Sequence, residues 1–209
     1  MKNLQQNHQK YNSKFFKRYA PIYDYMGFIL KGLRTKTAAL IPSSNKTIPL
    51  KILDMACGTG EQSLAFAKKG HNVTGIDLSP DMLKIANQKK HPNLKMQFLL
   101  SDATRIPFKT NTFDASCVSL ALHDMPHQIA ISVLKEMKRT TKPNGKIIIV
   151  DYSTPQNPIG NLIVSLWESI YFKKYHELSL DHFIKKAGLK KQKKFTWMLN
   201  NFQIVECSK

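Results

Sequence analysis

Three aspartates in the first half of the chain each close a short apolar run. Asp54 follows the run 50–53, Asp77 ends the run 73–77, and Asp102 lies just beyond the run 96–100. Short apolar runs that stop at polar residues read as buried parallel strands. Three such strands deliver three carboxylates to one edge of a sheet, the edge at which open α/β sheets bind ligands. A carboxylate in that place accepts hydrogen bonds from ligand hydroxyl or amino groups. Asp54 is followed by Met55-Ala56-Cys57-Gly58-Thr59-Gly60, and then by a helical pattern with Leu64, Ala65, Phe66 and Ala67. Strand, glycine turn and helix together bring backbone N–H groups close to a ligand. A dinucleotide fingerprint requires a third glycine three residues after the second, and that position holds Ser63. Asp77 stands about 20 residues beyond the turn, the spacing at which an acid meets ribose hydroxyls.

A second cluster of chemistry follows the run 113–122, where His123-Asp124-Met125-Pro126 begins. An imidazole at the end of a strand has an ordinary pKa suited to a general base. Asp124 is read as the cap of the next helix, and His127 as a surface residue one turn along. Cys57, Cys117 and Cys207 lack metal-ligand spacing, and no His/Cys/Asp/Glu pattern calls for a metal.

The elements that must hold these groups follow from periodicity and punctuation. Beyond the runs already named, a helix starts at Ser79-Pro80-Asp81, with cap, proline and acid in order, and stops near His91-Pro92. Ile129, Val133, Leu134 and Met137 mark an amphipathic helix. Pro143-Asn144-Gly145 reads as a tight turn before a fifth strand over 146–150. A short helix over 181–187 ends at Gly188. Residues 193–200 and 202–207 form a closing hairpin with Asn200-Asn201 at its turn. The N-terminal stretch 13–41 reads as an amphipathic helix broken near Pro21 and Gly27, either packed on the domain or laid on a membrane surface. The apolar run 159–172 precedes the last helix.

The 209 residues fit one α/β domain, with 1–45 as an N-terminal helical cap segment and 46–209 as the domain proper. The net charge is +18. Residues 1–50 carry nine Lys/Arg against Asp24 alone, and residues 173–209 carry nine Lys against three acids. Such charge fits a solvated surface, an anionic membrane or nucleic acid. The cysteine usage points to a reducing, cytoplasmic setting, with peripheral membrane contact left open. Neither a targeting segment nor an apolar run of membrane-spanning length is visible.

Taken in order, Ile52-Leu53-Asp54-Met55-Ala56-Cys57-Gly58-Thr59-Gly60, Gly75-Ile76-Asp77-Leu78-Ser79 and Ser101-Asp102-Ala103-Thr104-Arg105-Ile106-Pro107-Phe108 resemble a class I S-adenosylmethionine (SAM)-dependent methyltransferase. Within that class the chain is most similar to the ubiquinone/menaquinone-biosynthesis branch (methyltransferase type 11). The Tyr19–Asp24 segment resembles the tyrosine–aspartate entry segment of that branch, which covers the cofactor cleft. The resemblance implies a Rossmann-like, doubly wound, three-layer α/β/α fold. Its seven-stranded sheet is mostly parallel and ends in an antiparallel hairpin. It implies SAM as cofactor and S-adenosylhomocysteine (SAH) as product. Asp54 would meet the amino-acid end of SAM, Asp77 the ribose hydroxyls, and Asp102 with Ala103 the adenine. Ala56, Gly58, Gly60, Ser63, Leu78, Met82 and Ser119 complete the implied cofactor set. His123 is the catalytic candidate, and Tyr19, Tyr23 and Tyr152 are candidates for lining the substrate pocket or for core packing. The implied acceptor is a small molecule or lipid-like compound, a quinone precursor or a phospholipid headgroup. RNA or protein methylation, or SAM binding without catalysis, are the alternative readings. Ser119-Leu120-Ala121-Leu122 departs from the motif of DNA amino-methyltransferases, which disfavours that subclass.

Overall fold

The structure, a computed structural model, describes residues 30–42, 48–153, 179–198 and 200–209. Tyr19, Tyr23, the entry segment and the apolar run 159–172 lie outside the described residues. Along the chain run α1 (Lys31–Ala39), β1 (Lys51–Met55), α2 (Glu61–Ala67), β2 (Asn72–Asp77), α3 (Pro80–Gln88), β3 (Met96–Leu100), β4 (Phe113–Ser119), α4 (His127–Thr140), β5 (Thr141–Tyr152), α5 (Leu180–Lys186), β6 (Lys190–Trp197) and β7 (Phe202–Ser208). A single 3₁₀ turn, Leu122–Asp124, separates β4 from α4.

The strands form one seven-stranded sheet in the order β3-β2-β1-β4-β5-β7-β6. All neighbours are parallel except β7, which is antiparallel to both β5 and β6. The order reverses between β1 and β4, so the crevice at that switch point lies between the C-terminal ends of those two strands. Central strands are apolar on both faces because helices cover both. One layer of core joins Leu33 and Ile41 of the α1 region to Phe66, Ile52, Ile148, Val150 and Ile204. The other joins α4 and α5, through Val133, Leu134, Met137, Phe183 and Ile184, to Leu53, Met55, Val118, Ile147 and Ile149. The sheet sandwiched between two helical layers is the expected fold, including the antiparallel hairpin.

Two local readings are corrected. Pro143-Asn144-Gly145 does not end an element. It is an outward irregularity within β5, where the register against β4 shifts between Phe113 and Ala115. A Cβ on Gly145 would stand 2.6 Å from the Asp114 carbonyl oxygen, so the close approach needs glycine. Asp114 lies in this gap, accepting from the Lys51 N–H at 2.8 Å and Lys142 Nζ at 2.6 Å. His127 is not a surface residue but is half-buried, edge-on to Phe183 with ring centroids 5.3 Å apart. The α3 start is as expected: Ser79 Oγ accepts from the Met82 N–H at 3.3 Å, Pro80 opens the helix and Asp81 lies in its first turn.

Candidate active site

The glycine turn is a sequence of left-handed residues. Ala56, Gly58 and Gly60 have φ of 52°, 53° and 78°. The first is uncommon for a residue with a Cβ, and the loop is held in shape from outside. The Cys57 N–H donates to the Ile76 carbonyl at 2.9 Å, and the Gly60 N–H to the Cys57 carbonyl at 2.9 Å. The Gly58 N–H donates to Asp77 Oδ2 at 2.8 Å. Among the described residues a Cβ on Gly58 would meet nothing within 4 Å, so toward them this glycine faces open space. A Cβ on Gly60 would lie 2.9 Å from the Phe98 ring and 3.0 Å from the Ala86 Cβ. One glycine therefore leaves room on the ligand side, and the other lets α2 close onto β3 and α3.

Asp77 ends β2 with both oxygens engaged. Oδ2 takes the Gly58 N–H, and Oδ1 takes the Ser79 N–H at 2.8 Å. Burial raises its pKa, against the lowering effect of those N–H groups. Each carboxylate oxygen can accept a second hydrogen bond. Asp77 thus holds the loop and still has acceptor capacity for paired hydroxyls. Asp54 is buried at the end of β1, where Ser63 Oγ donates to its Oδ2 at 2.5 Å. Loss of hydration raises its pKa to about 7; the Ser63 hydrogen bond opposes this, the Asp77 charge adds to it, and Arg34 of α1 opposes it. Asp102 folds back on its own turn, accepting from the Thr104 N–H and hydroxyl, both at 2.8 Å. Ala103 is buried beside it in the α4-side core. Leu78 is half-buried, Met82 is buried on α3, and Ser119 ends β4 where Leu120 turns with φ 54°.

The His123 cluster is built from residues far apart in sequence. His123 is 6 % exposed, and Asp151, at the end of β5, is fully buried. His123 Nδ1 lies 2.6 Å from Asp151 Oδ1, and the His123 backbone N–H donates to Asp151 Oδ2 at 3.2 Å. On the other side Nε2 lies 3.3 Å from Asp124 Oδ2. The Tyr152 ring stands edge-on to the imidazole, with centroids 4.7 Å apart. Burial alone would lower the histidine pKa, but the two carboxylates override it and raise it to about 10. At neutral pH the ring is an imidazolium with both nitrogens protonated, and a general base needs the neutral form. Asp124 does not cap α4, whose N-cap is Pro126 and carries no side-chain cap. Sequence reasoning missed Asp151 as a partner of His123 and misassigned Asp124. The one local hint was the acid closing strand five.

Cys57, Cys117 and Cys207 are buried free thiols with pKa pushed above the ordinary range by burial. Among the described residues no group of three or more His, Cys, Asp or Glu is placed to hold a metal ion. No described helix is long and apolar enough to cross a membrane.

Comparison with known proteins meets this geometry. Residues 53–149 match a family model described as a methyltransferase domain. The demethylmenaquinone methyltransferase of Paenarthrobacter aurescens is 33% identical over 154 residues, covering 73% of this chain and 56% of that one. That of Bacillus licheniformis is 32% identical over 161 residues, covering 73% and 67%. The magnesium protoporphyrin IX methyltransferase of Synechocystis, solved with bound SAH, superposes with a TM-score of 0.67 at 17% identity, covering 98% of each chain. The chain spans 56% of the length of the Paenarthrobacter aurescens enzyme and 50% of that of the demethylmenaquinone methyltransferases of Staphylococcus epidermidis and Staphylococcus aureus. With a glycine loop tied to the acid of β2, acids at the ends of β1 and β3, and this sequence kinship, the chain belongs to the class I SAM-dependent methyltransferases, in the family that includes the demethylmenaquinone methyltransferases.

Proposed function

We propose that the protein transfers a methyl group from SAM to a quinone precursor, an apolar acceptor met at or near a membrane face. The observation that carries this reading is the loop anchored by Asp77. Among the described residues, Gly58 faces open space next to a carboxylate whose oxygens retain acceptor capacity. That is a place for a ribose, with Asp54 toward the amino-acid end and Asp102 with Ala103 at the adenine. Ala56, Gly60, Ser63, Leu78, Met82 and Ser119 shape the remainder of the cleft.

SAM when bound would supply an activated methyl group on its sulfonium, and SAH is what would remain once that methyl has gone to the acceptor. The chain's own part is positioning and exclusion of water. His123 acts on the acceptor side of the cleft. Held by Asp151, it in turn fixes Asp124. That cluster takes up the proton the acceptor loses. Tyr152, packed on the imidazole and 5.0 Å from the Phe202 ring, gives this side an aromatic wall. Tyr19 and Tyr23, outside the described residues, are proposed as substrate-contacting side chains.

The test is a transfer assay with methyl-labelled SAM. Purified protein is given reduced demethylmenaquinone, and in parallel an extract separated into lipid, small-molecule, protein and RNA fractions. Label in the quinone is expected. Label confined to RNA or protein overturns the reading, and SAM binding with no label in any fraction leaves a binder without catalysis.

A further inference from the structure

The edge of the sheet farthest from the cofactor strands carries an unbalanced charge. Between Leu180 and Trp197 stand Lys185, Lys186, Lys190, Lys191, Lys193 and Lys194, against Asp181 as the only acid. All six are exposed. Lys191 pairs with Asp181 at 2.7 Å, leaving five lysines of one sign without an acidic residue in that stretch to offset them. They lie on α5 and along β6, the outermost strand, whose side chains are exposed at every position except Phe195 and Trp197. The register sets their directions. Lys193 stands beside Glu206 and Lys194 beside Val205, so lysines project from both faces of the strand. Across the α1 face, Lys36 Nζ stands 5.2 Å from the Trp197 ring centroid and 6.0 Å from that of Phe195. β6 runs parallel to β5, so Trp197 at its C-terminal end reaches the same edge as Tyr152, while Lys191, Lys193 and Lys194 stand level with Ile147, Ile148 and Ile149 toward the other end. Met198, 41% exposed, follows Trp197.

We propose that this β6–α5 edge is a docking surface for an anionic lipid bilayer. The proposal rests on the reading of an apolar, membrane-resident acceptor given above. Charged side chains blunt an edge strand against pairing, but here six lysines in eighteen residues extend over two elements and make a field. The cations are all lysine. Lysine acts as a strongly hydrated point charge suited to diffuse attraction by anionic headgroups, whereas nucleic-acid readout leans on arginine forks and bases stacked on open aromatic faces. The aromatic residues of this strand are half-buried beneath Lys36 instead. Each lysine near an anionic surface strengthens adsorption by roughly fivefold at physiological salt.

The test uses the full chain and vesicles of phosphatidylcholine with or without phosphatidylglycerol, read by flotation. The edge variant carries Lys186→Gln, Lys190→Gln, Lys193→Gln and Lys194→Gln. A control of similar charge loss carries Lys84→Gln, Lys109→Gln and Lys135→Gln, exposed residues on other faces. Wild type is expected on phosphatidylglycerol vesicles, released by added salt and absent from neutral vesicles. The edge variant should bind more than tenfold more weakly, and the control within about threefold of wild type. Equal loss in both variants, or equal binding to neutral vesicles, overturns the proposal. So does an edge variant that loses affinity for a labelled RNA while keeping its vesicle binding. Methyl transfer to a detergent-dispersed short-chain acceptor should be unchanged in the edge variant. Absence of transfer in wild type would count against the proposed reaction alone, since the flotation result is read independently.

Discussion

The two halves of the site hold charge in opposite ways. On the β1–β2 side, a carboxylate is held by backbone N–H groups: Gly58 and Ser79 both donate to Asp77. On the β4–β5 side, a cation is held by side chains, His123 between Asp151 and Asp124. The first arrangement is local and depends on a loop conformation. The second is a buried ion cluster spanning 28 residues of sequence, and it ties the ends of two strands together. Removing a charge should therefore damage binding on one side and stability on the other.

The largest expected effect is Asp151→Asn. It leaves a buried imidazolium short of its better partner and should cost roughly 3–5 kcal/mol in urea unfolding. SAM affinity should stay within about threefold. Asp77→Ala should do the reverse in calorimetry, weakening SAM by roughly 10- to 100-fold for the lost charged acceptor. If Asp151→Asn abolishes SAM binding while Asp77→Ala does not, the contrast between the halves is wrong.

Two pH experiments sharpen it. The folded pKa of His123, about 10, lies above its ordinary value of 6.5. Its contribution to stability is thus fully present below pH 6.5 and is lost as pH rises toward 10. Denaturation across that window should show a decline of at most about 1.4 kcal/mol per pH unit, absent in His123→Gln. Asp54 is an acid raised to about 7. Its folded form keeps its proton while the unfolded chain has lost it, so it costs stability progressively from pH 3.8 to about 7. A SAM ammonium would favour the ionised form, so affinity should fall below pH 7, by at most about tenfold per unit. Calorimetry in buffers of different ionisation enthalpy should find a proton released on binding near pH 6. The smallest effect is expected of Ser79→Ala, which removes the α3 cap for about 1 kcal/mol.

This contrast also governs what could be read from the sequence. Asp54, the glycine turn and Asp77 sit at fixed short offsets on a strand–loop–helix unit, and so do the Ser79-Pro80 cap and the alternation of elements. Their physics is local, and the text of the chain carries it. The His123–Asp151 pair has no local signature, because it exists only when β4 and β5 pair in register. Asp124, two residues before Pro126, read as a cap because caps are local too, and tertiary charge drew it to the imidazole instead. The Pro143–Gly145 stretch has every mark of a turn, yet pairing on either side kept it inside one strand.

Phe98 has a consequence for how this site can change over time. Its ring fills the space that side chains would occupy at Gly75, 2.6 Å from a Cβ there, and at Gly60, 2.9 Å away; Cys57 Sγ closes the same gap. Gly60 and Cys57 belong to the loop, Gly75 to β2 and Phe98 to the edge strand, yet no one of them is free to drift alone. A larger residue at Gly75 is admissible only after the ring at 98 has shrunk, and a smaller residue at 98 leaves a void that the glycines cannot fill. The four positions constrain one another's history, so substitutions among them should be found in linked pairs, in an order that packing dictates.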